Sequence, residues 1–301
     1  PNYEIVIVDN GSKAPSALRY LDELQKQPNI AIVQYDKPFN FATMNNFAVQ
    51  YAKGEHIVFL NNDIEVISGE WLAAMLEHSQ REEVGAVGAK LYFPDGTIQH
   101  VGVVLGLGQF KGHRVAGHIY SRGKDEDVYY GLLNVIRNWS AVTGACLMTK
   151  KKLFEEMSGF DPNLPWAYQD IDYCLRLREK GYLIVYTPYA KLYHYEAFTR
   201  GYEDSPEKEK WLLKDIEYFL RRWNHIIARG DPYYNVNLSL DKGDFSLALG
   251  KVSKNQSVMM PKIVCAQRSK KTPKFTFVKY ADLVEWTLDW AKSLPDEFDV
   301  I

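Results

Sequence analysis

Four apolar runs separated by three helical segments fill the first 93 residues, and this alternation constrains the fold more than any other feature of the chain. The runs are "YEIVIVD" (3–9), "IAIVQY" (30–35), "IVFL" (57–60) and "VGAVGAKLYF" (84–93). They are too continuous to leave one face in water, so they read as strands covered on both sides. Helical spacing predicts helices over about 14–27, 41–53 and 70–80. Pro28 ends the first; Phe41, Met44, Ala48 and Tyr51 line one face of the second, with Gly54 as its stop. Strands alternating with helices predict an α/β fold, a mostly parallel sheet with helices on both faces.

Beyond this frame the pattern loosens. Residues 95–140 are glycine-rich and short of helical period, which predicts loops and short strands beside a ligand. Helical signal returns in "TKKKLFEEM" and in "QDIDYCLRLREKGY", where Ile171, Cys174, Leu175 and Leu177 form an apolar face and Gly181 a stop. A long amphipathic helix is predicted over 206–229, with Pro206 in its first turn and Gly230 past its end. The turn-rich segment 231–249 reads as a domain's closing stretch. From Lys251 to Lys279 there are eight Lys or Arg and no Asp or Glu. We therefore expect one domain over 1–250, a basic linker over 251–279, and the start of a further, truncated module over 280–301. The chain opens and closes inside apolar runs, as a piece of a longer protein would.

A net charge of −2 gives no electrostatic case for nucleic acid as a partner. The three cysteines, Cys146, Cys174 and Cys265, are far apart and lack metal-ligand spacing, which fits a reducing compartment. No apolar run approaches the roughly 18 residues of a spanning helix, and the first ten residues lack the layout of a signal peptide. A cytoplasmic location is expected. The basic stretch has two readings: a solvated linker, or contact with anionic lipid headgroups at the inner face of a membrane.

Polar clusters stand where strands or helices end: "VDNGS" (8–12), "LNND" (60–63), "YQDID" (168–172) and "YHYEAFTRG" (193–201). In open α/β sheets ligands bind beyond the carboxyl ends of the strands, so Asn61, Asn62 and Asp63 are placed to hold one. Each cluster also has a local explanation. Asp9 before Asn10-Gly11 is a turn signal, and Asn61 to Asp63 are turn formers too. His194 between two tyrosines is as readily a packed histidine as a ligand. Asp170 and Asp172 fit the first turn of a helix, where each contributes about 0.3–1 kcal/mol against the macrodipole.

Taken in order, the clusters change the reading. From Tyr3 to about Leu249 the sequence resembles the family-2, inverting glycosyltransferases of the GT-A fold, and most of all the branch of bacterial rhamnosyltransferases and polysaccharide-assembly enzymes. The resemblance rests on "VDNGS", on "FLNND" in the place of an Asp-x-Asp motif, on "QDIDYCLR" in the place of "EDIDLCLR", and on "VTGACLMTKKKLFEEMSGFDPNL" before it. It implies a GT-A (Rossmann-like) sheet. In the family a strand and a helix precede the "YEIVIVDNGS" segment, so the resemblance also implies a sheet without its first, central strand.

The implied roles follow residue by residue. Asp63 matches the last aspartate of Asp-x-Asp and, with His194, is the implied ligand of a divalent cation, Mn²⁺ or Mg²⁺, that neutralises the diphosphate of the donor. Asn61 stands where the family has an aspartate; with Asn62 it belongs to the nucleotide-sugar site. Asp9 matches the aspartate that accepts a hydrogen bond from the nucleobase, and Arg200 is placed for phosphate. Asp170 is the implied catalytic base, since attack by a sugar hydroxyl with inversion needs a carboxylate to take its proton. Gln169 replaces the usual Glu beside it; the loss of that like charge is expected to leave Asp170 more easily ionised. Positions two apart do not share a helix face, so Asp172 is expected to serve structure instead.

The expected function is transfer of a sugar from a nucleotide-diphosphate donor, of the dTDP-rhamnose or UDP-hexose class, to a hydroxyl of a glycan or lipid-linked acceptor in surface polysaccharide synthesis. A competing reading, favoured by Asn61 and Gln169, is a nucleotide-sugar-binding domain without catalysis. A nucleotidyltransferase would need a glycine-rich basic loop after the first strand, which these residues lack. Trp139 and Trp166 are candidates for the donor pocket or, equally, for the core.

Overall fold

In a computed structural model of the chain, residues 3–126, 128, 130–195 and 206–248 are described, together with the backbone of 275–281. The elements in order are β1 (Tyr3–Asp9), α1 (Pro15–Leu24), β2 (Ile30–Gln34), α2 (Phe41–Val49), β3 (His56–Leu60), β4 (Ile64–Val66), α3 (Trp71–Ser79) and β5 (Val84–Tyr92). Short strands follow: β6 (Ile98–His100), β7 (Val103–Leu105), β8 (Ala116–His118) and β9 (Arg137–Asn138). Then come β10 (Cys146–Lys150), α4 (Lys151–Glu156), α5 (Gln169–Glu179), β11 (Leu183–His194), α6 (Pro206–Ile227) and β12 (Phe275–Ala281).

The main sheet runs β2-β1-β12-β3-β10-β5-β11-β4, with β6 added beside β5 and β9 beside β11, while β7 and β8 form a separate ribbon. β10 runs against both β3 and β5, and β4 against β11; the other pairs along the main path are parallel. This is the expected mixed, mostly parallel α/β sheet. Every residue of β3 and β5 is buried, which is why these strands read as continuous apolar runs. One face packs on α2, α4, α5 and α6 through Phe41, Phe154, Tyr173 and Phe219, the other on α1 and α3 through Leu21, Trp71 and Met75. α6 buries Leu212, Ile216, Phe219 and Trp223, spaced four, three and four residues apart, so a single stripe faces the sheet.

The central position expected to lack a strand holds β12. It lies parallel to both neighbours, in register from Tyr3 opposite Phe275 to Asp9 opposite Ala281 on one side, and from His56 opposite Phe275 to Leu60 opposite Lys279 on the other. Without a strand there, β1 and β3 would each carry a buried row of unpaired N–H and C=O groups, each costing as much as a lost hydrogen bond. The alternating aromatic and β-branched segment "FTFVKYA" has the composition to fill the gap. The expected linker boundary at 279 falls inside this strand.

Candidate active site

The carboxyl ends of β3 and β11 meet. β3 runs into Asn61, whose backbone N–H donates to Ala145 O at 3.0 Å. The chain then turns through Asn62 and Asp63 into β4, which pairs with β11 so that His194 lies opposite Ile64. Tyr195 N–H donates to Asp63 O at 2.9 Å, tying the two ends together. The His194 ring is held from behind: its Nδ1 lies 2.6 Å from Gln99 Oε1, and Gln99 Nε2 donates to the His194 carbonyl at 3.3 Å. An amide oxygen only accepts, so Nδ1 carries a proton, and Nε2 is the ring nitrogen turned toward the end of β3. That nitrogen lies 3.1 Å from Asp63 Oδ1 and 3.1 Å from Asn61 Nδ2. An imidazole nitrogen beside a carboxylate oxygen, with the ring fixed from its other nitrogen, is a pair that fits a divalent cation when Nε2 carries no proton. Among the described residues no group of three or more His, Cys, Asp or Glu gathers in this way, so such a cation would depend on its ligand for the remaining positions.

Asp170 stands at the start of α5, after Tyr168 in the left-handed region at φ 66°. A non-glycine residue held there costs about 1–3 kcal/mol, and such positions cluster at functional sites. The Asp170 carboxyl accepts from Gly144 N–H at 2.7 Å through Oδ2 and from Ile171 N–H at 2.8 Å through Oδ1. Burial nevertheless dominates and raises its pKa above the ordinary carboxylate value, ahead of the lowering by the two amides and by His118. Gln169 puts no like charge beside it, and the net direction is set by desolvation. Gln169 itself is buried, and its Oε1 has no hydrogen-bond partner among the described residues.

Asp172 points into the protein. It is fully buried, with Oδ1 accepting from Trp223 Nε1 at 2.8 Å and Oδ2 paired with Arg176 Nε at 2.8 Å; Arg222 Nη1 lies 3.2 Å away. Its task is to join α5 to α6, a larger one than the helix-end role expected of it. The same helix holds the loop before α5, where Trp166 N–H and Ala167 N–H both donate to Asp215 Oδ2 at 2.9 Å. Burial pushes the Asp215 carboxyl up to about 6.

A model of the family described as Glycosyl transferase family 2 matches residues 1–156. The chain belongs to glycosyltransferase family 2. The match ends before Asp170 and His194. An uncharacterized protein y4gI of Sinorhizobium fredii is 42% identical over 82% of this chain and 27% of its own length. The O-antigen biosynthesis protein RfbC of Myxococcus xanthus is 37% identical over 82% of this chain and 19% of its own length. The chain thus spans about a quarter and a fifth of these two relatives. An N-acetylglucosaminyl-diphospho-decaprenol L-rhamnosyltransferase of Mycobacterium tuberculosis is 24% identical over 65% of the chain and 68% of its own length. Among solved structures, GalNAc-T7 with UDP, GalNAc and Mn²⁺ superposes with a TM-score of 0.52 at 15% identity, over 75% of this chain and 51% of that one, a likeness of fold.

Within this family-2 frame the remaining sequence candidates divide. Asp9 is buried at the end of β1, and its Oδ1 accepts from Ser12 N–H at 2.9 Å, the local turn bond anticipated as its alternative role. Asn10 Nδ2 donates to Tyr35 O at 2.6 Å and Lys37 O at 2.9 Å, closing the same turn against β2. Asn62 is half-buried beside Asn61 and Asp63. Arg200 lies outside the described residues, as does Cys265. Trp139 belongs to the core, its ring filling the space where a Cβ on Gly102 would come within 2.3 Å. Trp166 instead stacks on Trp211 with ring centroids 4.8 Å apart. Among the described residues no helix is long and apolar enough to cross a membrane. Sequence reasoning missed Gln99, Gly144 and Asp215, because each meets its partner across 26 or more residues of chain.

Proposed function

We propose that this domain transfers a sugar, with inversion, from a nucleotide-diphosphate donor to a hydroxyl of a glycan or lipid-linked acceptor during surface polysaccharide assembly. The observation that carries the reading is the meeting of Asp63, Asn61 and His194 at the end of β3, with the Asp170 carboxyl in the first turn of α5, held by Gly144 N–H. The relatives named for O-antigen biosynthesis and rhamnosyl transfer support a donor of the dTDP-rhamnose or UDP-hexose class. The whole protein's partners belong to the same proposal, including membrane contact by the basic stretch and the division into residues 1–250, 251–279 and 280–301.

Asp63 and His194 would hold Mn²⁺ or Mg²⁺, whose chemistry when bound is Lewis-acid neutralisation of the diphosphate. Gln99 fixes the His194 ring from Nδ1, so that Nε2 is directed to that task. Asn61 Nδ2 offers a hydrogen-bond donor at the same place, and Asn62, Asp9 and Arg200 complete the nucleotide-sugar site. Asp170 accepts the proton of the attacking hydroxyl. Its raised pKa suits a base, since proton transfer is more favourable when the acid formed is weaker. Gly144 N–H and Ile171 N–H fix the carboxyl, so its orientation is set before the acceptor arrives.

Nucleoside-diphosphate release with a panel of donors tests the reading. Excess chelator is expected to abolish release, and Mn²⁺ or Mg²⁺ to restore it. Full turnover in excess chelator contradicts the metal assignment. Nucleotide-dependent protection against thermal unfolding without release from any donor would favour the binding domain instead.

A further inference from the structure

Three aromatic side chains from distant parts of the chain gather beside the base and serve none of the roles above. Trp166, in the loop before α5, stacks on Trp211 of α6 with the ring planes 17° apart. Phe39, just before α2, lies against Trp166 with ring centroids 5.3 Å apart. Trp166 stands four residues before Asp170, so their Cα atoms are within about 14 Å of each other. Phe41 N–H donates to Pro165 O at 3.0 Å, tying the start of α2 to the same loop. The Phe41 ring reaches the turn that holds the carboxyl, its tip 3.5 Å from where a Cβ on Gly144 would stand.

The loop does not need the indole pair to keep its place. Trp211, Asp215, Tyr218 and Arg222 follow one another at four, three and four residues along α6 and so share a face. Asp215 takes the Trp166 and Ala167 amides, and Tyr218 OH donates to Asp161 Oδ2 at 2.9 Å, with Arg222 Nη1 3.4 Å from the same oxygen. These polar contacts fix both ends of segment 161–167, whereas Trp211 keeps 37% of its surface in water, the one large apolar side chain of α6 so exposed. Trp166 covers one face of the indole, so the exposed area lies away from that face. Glu207 and Lys214, about one turn to either side and exposed, set charge around the ring.

An apolar ring framed by hydrogen-bonding groups matches a pyranose, which has a face of C–H groups and a rim of hydroxyls. A lipid chain would meet the charges, and a protein interface needs about 800 Å² from each partner, which one indole does not offer. We propose that Trp211, backed by Trp166, is an acceptor subsite, its indole stacking on a sugar of the acceptor glycan beyond the one whose hydroxyl Asp170 deprotonates. The proposal rests on the reading of Asp170 and of a glycan acceptor given above. It makes acceptor length, rather than the reacting sugar alone, a determinant of specificity.

The test uses the purified chain, the donor that gives the greatest release in the panel, and octyl glycosides carrying one, two or three units of glucose, rhamnose or N-acetylglucosamine. Transfer and acceptor-independent donor hydrolysis are measured in parallel. In the parent the KM is expected to fall as sugars are added. Trp211→Ala should raise the KM of the three-sugar probe about 10-fold, the share that covering one indole supplies. The one-sugar probe, which ends before the indole, should move within two-fold, and Trp211→Phe should recover part of the loss. A parent KM indifferent to sugar number in all three series overturns the proposal. So does a Trp211→Ala effect equal for all lengths or shared by hydrolysis, which marks a structural role, and so does one that follows alkyl length when methyl replaces octyl, which marks a lipid site. Donor release without transfer to any probe, or transfer retained by Asp170→Asn, would instead overturn the reading on which the proposal rests.

Discussion

Replacing Asp172 by asparagine separates the two carboxylates of "QDID". The native carboxylate is fully buried and balanced by Arg176, whose side chain is 11% exposed. It also accepts from Trp223 Nε1 at 2.8 Å. Asparagine keeps one oxygen for the Trp223 N–H but turns an NH₂ toward Arg176 Nε, donor against donor. An unsatisfied buried donor costs about 1–3 kcal/mol, and a broken buried ion pair about 3–5 kcal/mol. Arg176 retains its bonds to the carbonyls of Met157 and Gly159, and Arg222 is 40% exposed, so the lower part of that range applies. We expect a loss of about 3 kcal/mol, three times what a helix-end carboxylate would give. For a domain of this size, that lowers the melting temperature by roughly 6–12 °C. Thermal unfolding followed by circular dichroism measures it, with turnover assayed well below the transition, where it should be within a few-fold of the parent. A melting temperature within about 2 °C of the parent, combined with lost turnover, refutes the division of labour.

Two further perturbations follow from the same contacts. A Cβ on Gly144 would sit 3.2 Å from Asp170 Cβ and 3.6 Å from its Oδ2, so Gly144→Ala should displace the carboxyl by a few tenths of an ångström. Turnover is expected to fall about 10-fold with little change in melting temperature, and unchanged kcat would mean the carboxyl's placement is not critical. Asp215, raised to about 6 by burial, binds its proton more tightly folded than unfolded, so its contribution is present below the unfolded pKa and is lost as pH rises through about 6. Asp215→Asn, whose oxygen can still accept from Trp166 and Ala167, should flatten stability between about pH 4 and 6 and gain on the order of 3 kcal/mol above it; a pH–stability curve superimposable on the parent's contradicts this.

The sheet was legible because its inner strands β3 and β5 are buried on both faces, which leaves unbroken apolar runs such as "IVFL", with helical segments between runs. The polar end of β3 was legible for the same reason: three polar residues after a buried strand have to meet solvent or a ligand. The two faces of α5 followed from helical geometry, which sends Asp170 and Asp172 apart. What Asp172 does was not legible, since its partner Trp223 comes 51 residues later on another helix. The anchoring of the His194 ring was hidden similarly, because Gln99 reaches it through β6 and β5, across 95 residues. β10 was not read as a strand, and its last two residues, Thr149 and Lys150, fell within the helical reading of "TKKKLFEEM", since it runs directly into α4. β12 was the hardest element to anticipate: nothing local to "FTFVKYA" announces a gap between two strands more than 200 residues earlier.

The central claim is that the Asp170 carboxyl takes the proton of the attacking hydroxyl. Single-turnover transfer by Asp170→Asn, set beside donor affinity measured by titration, tests it most directly. Asparagine keeps one oxygen, which serves only one of the Gly144 and Ile171 amides because they bind opposite oxygens, and it does not accept the proton. The account predicts a fall in turnover of about 10²–10⁴-fold with donor affinity within a few-fold of the parent. Turnover within a few-fold of the parent would contradict it, and the base would have to be sought elsewhere.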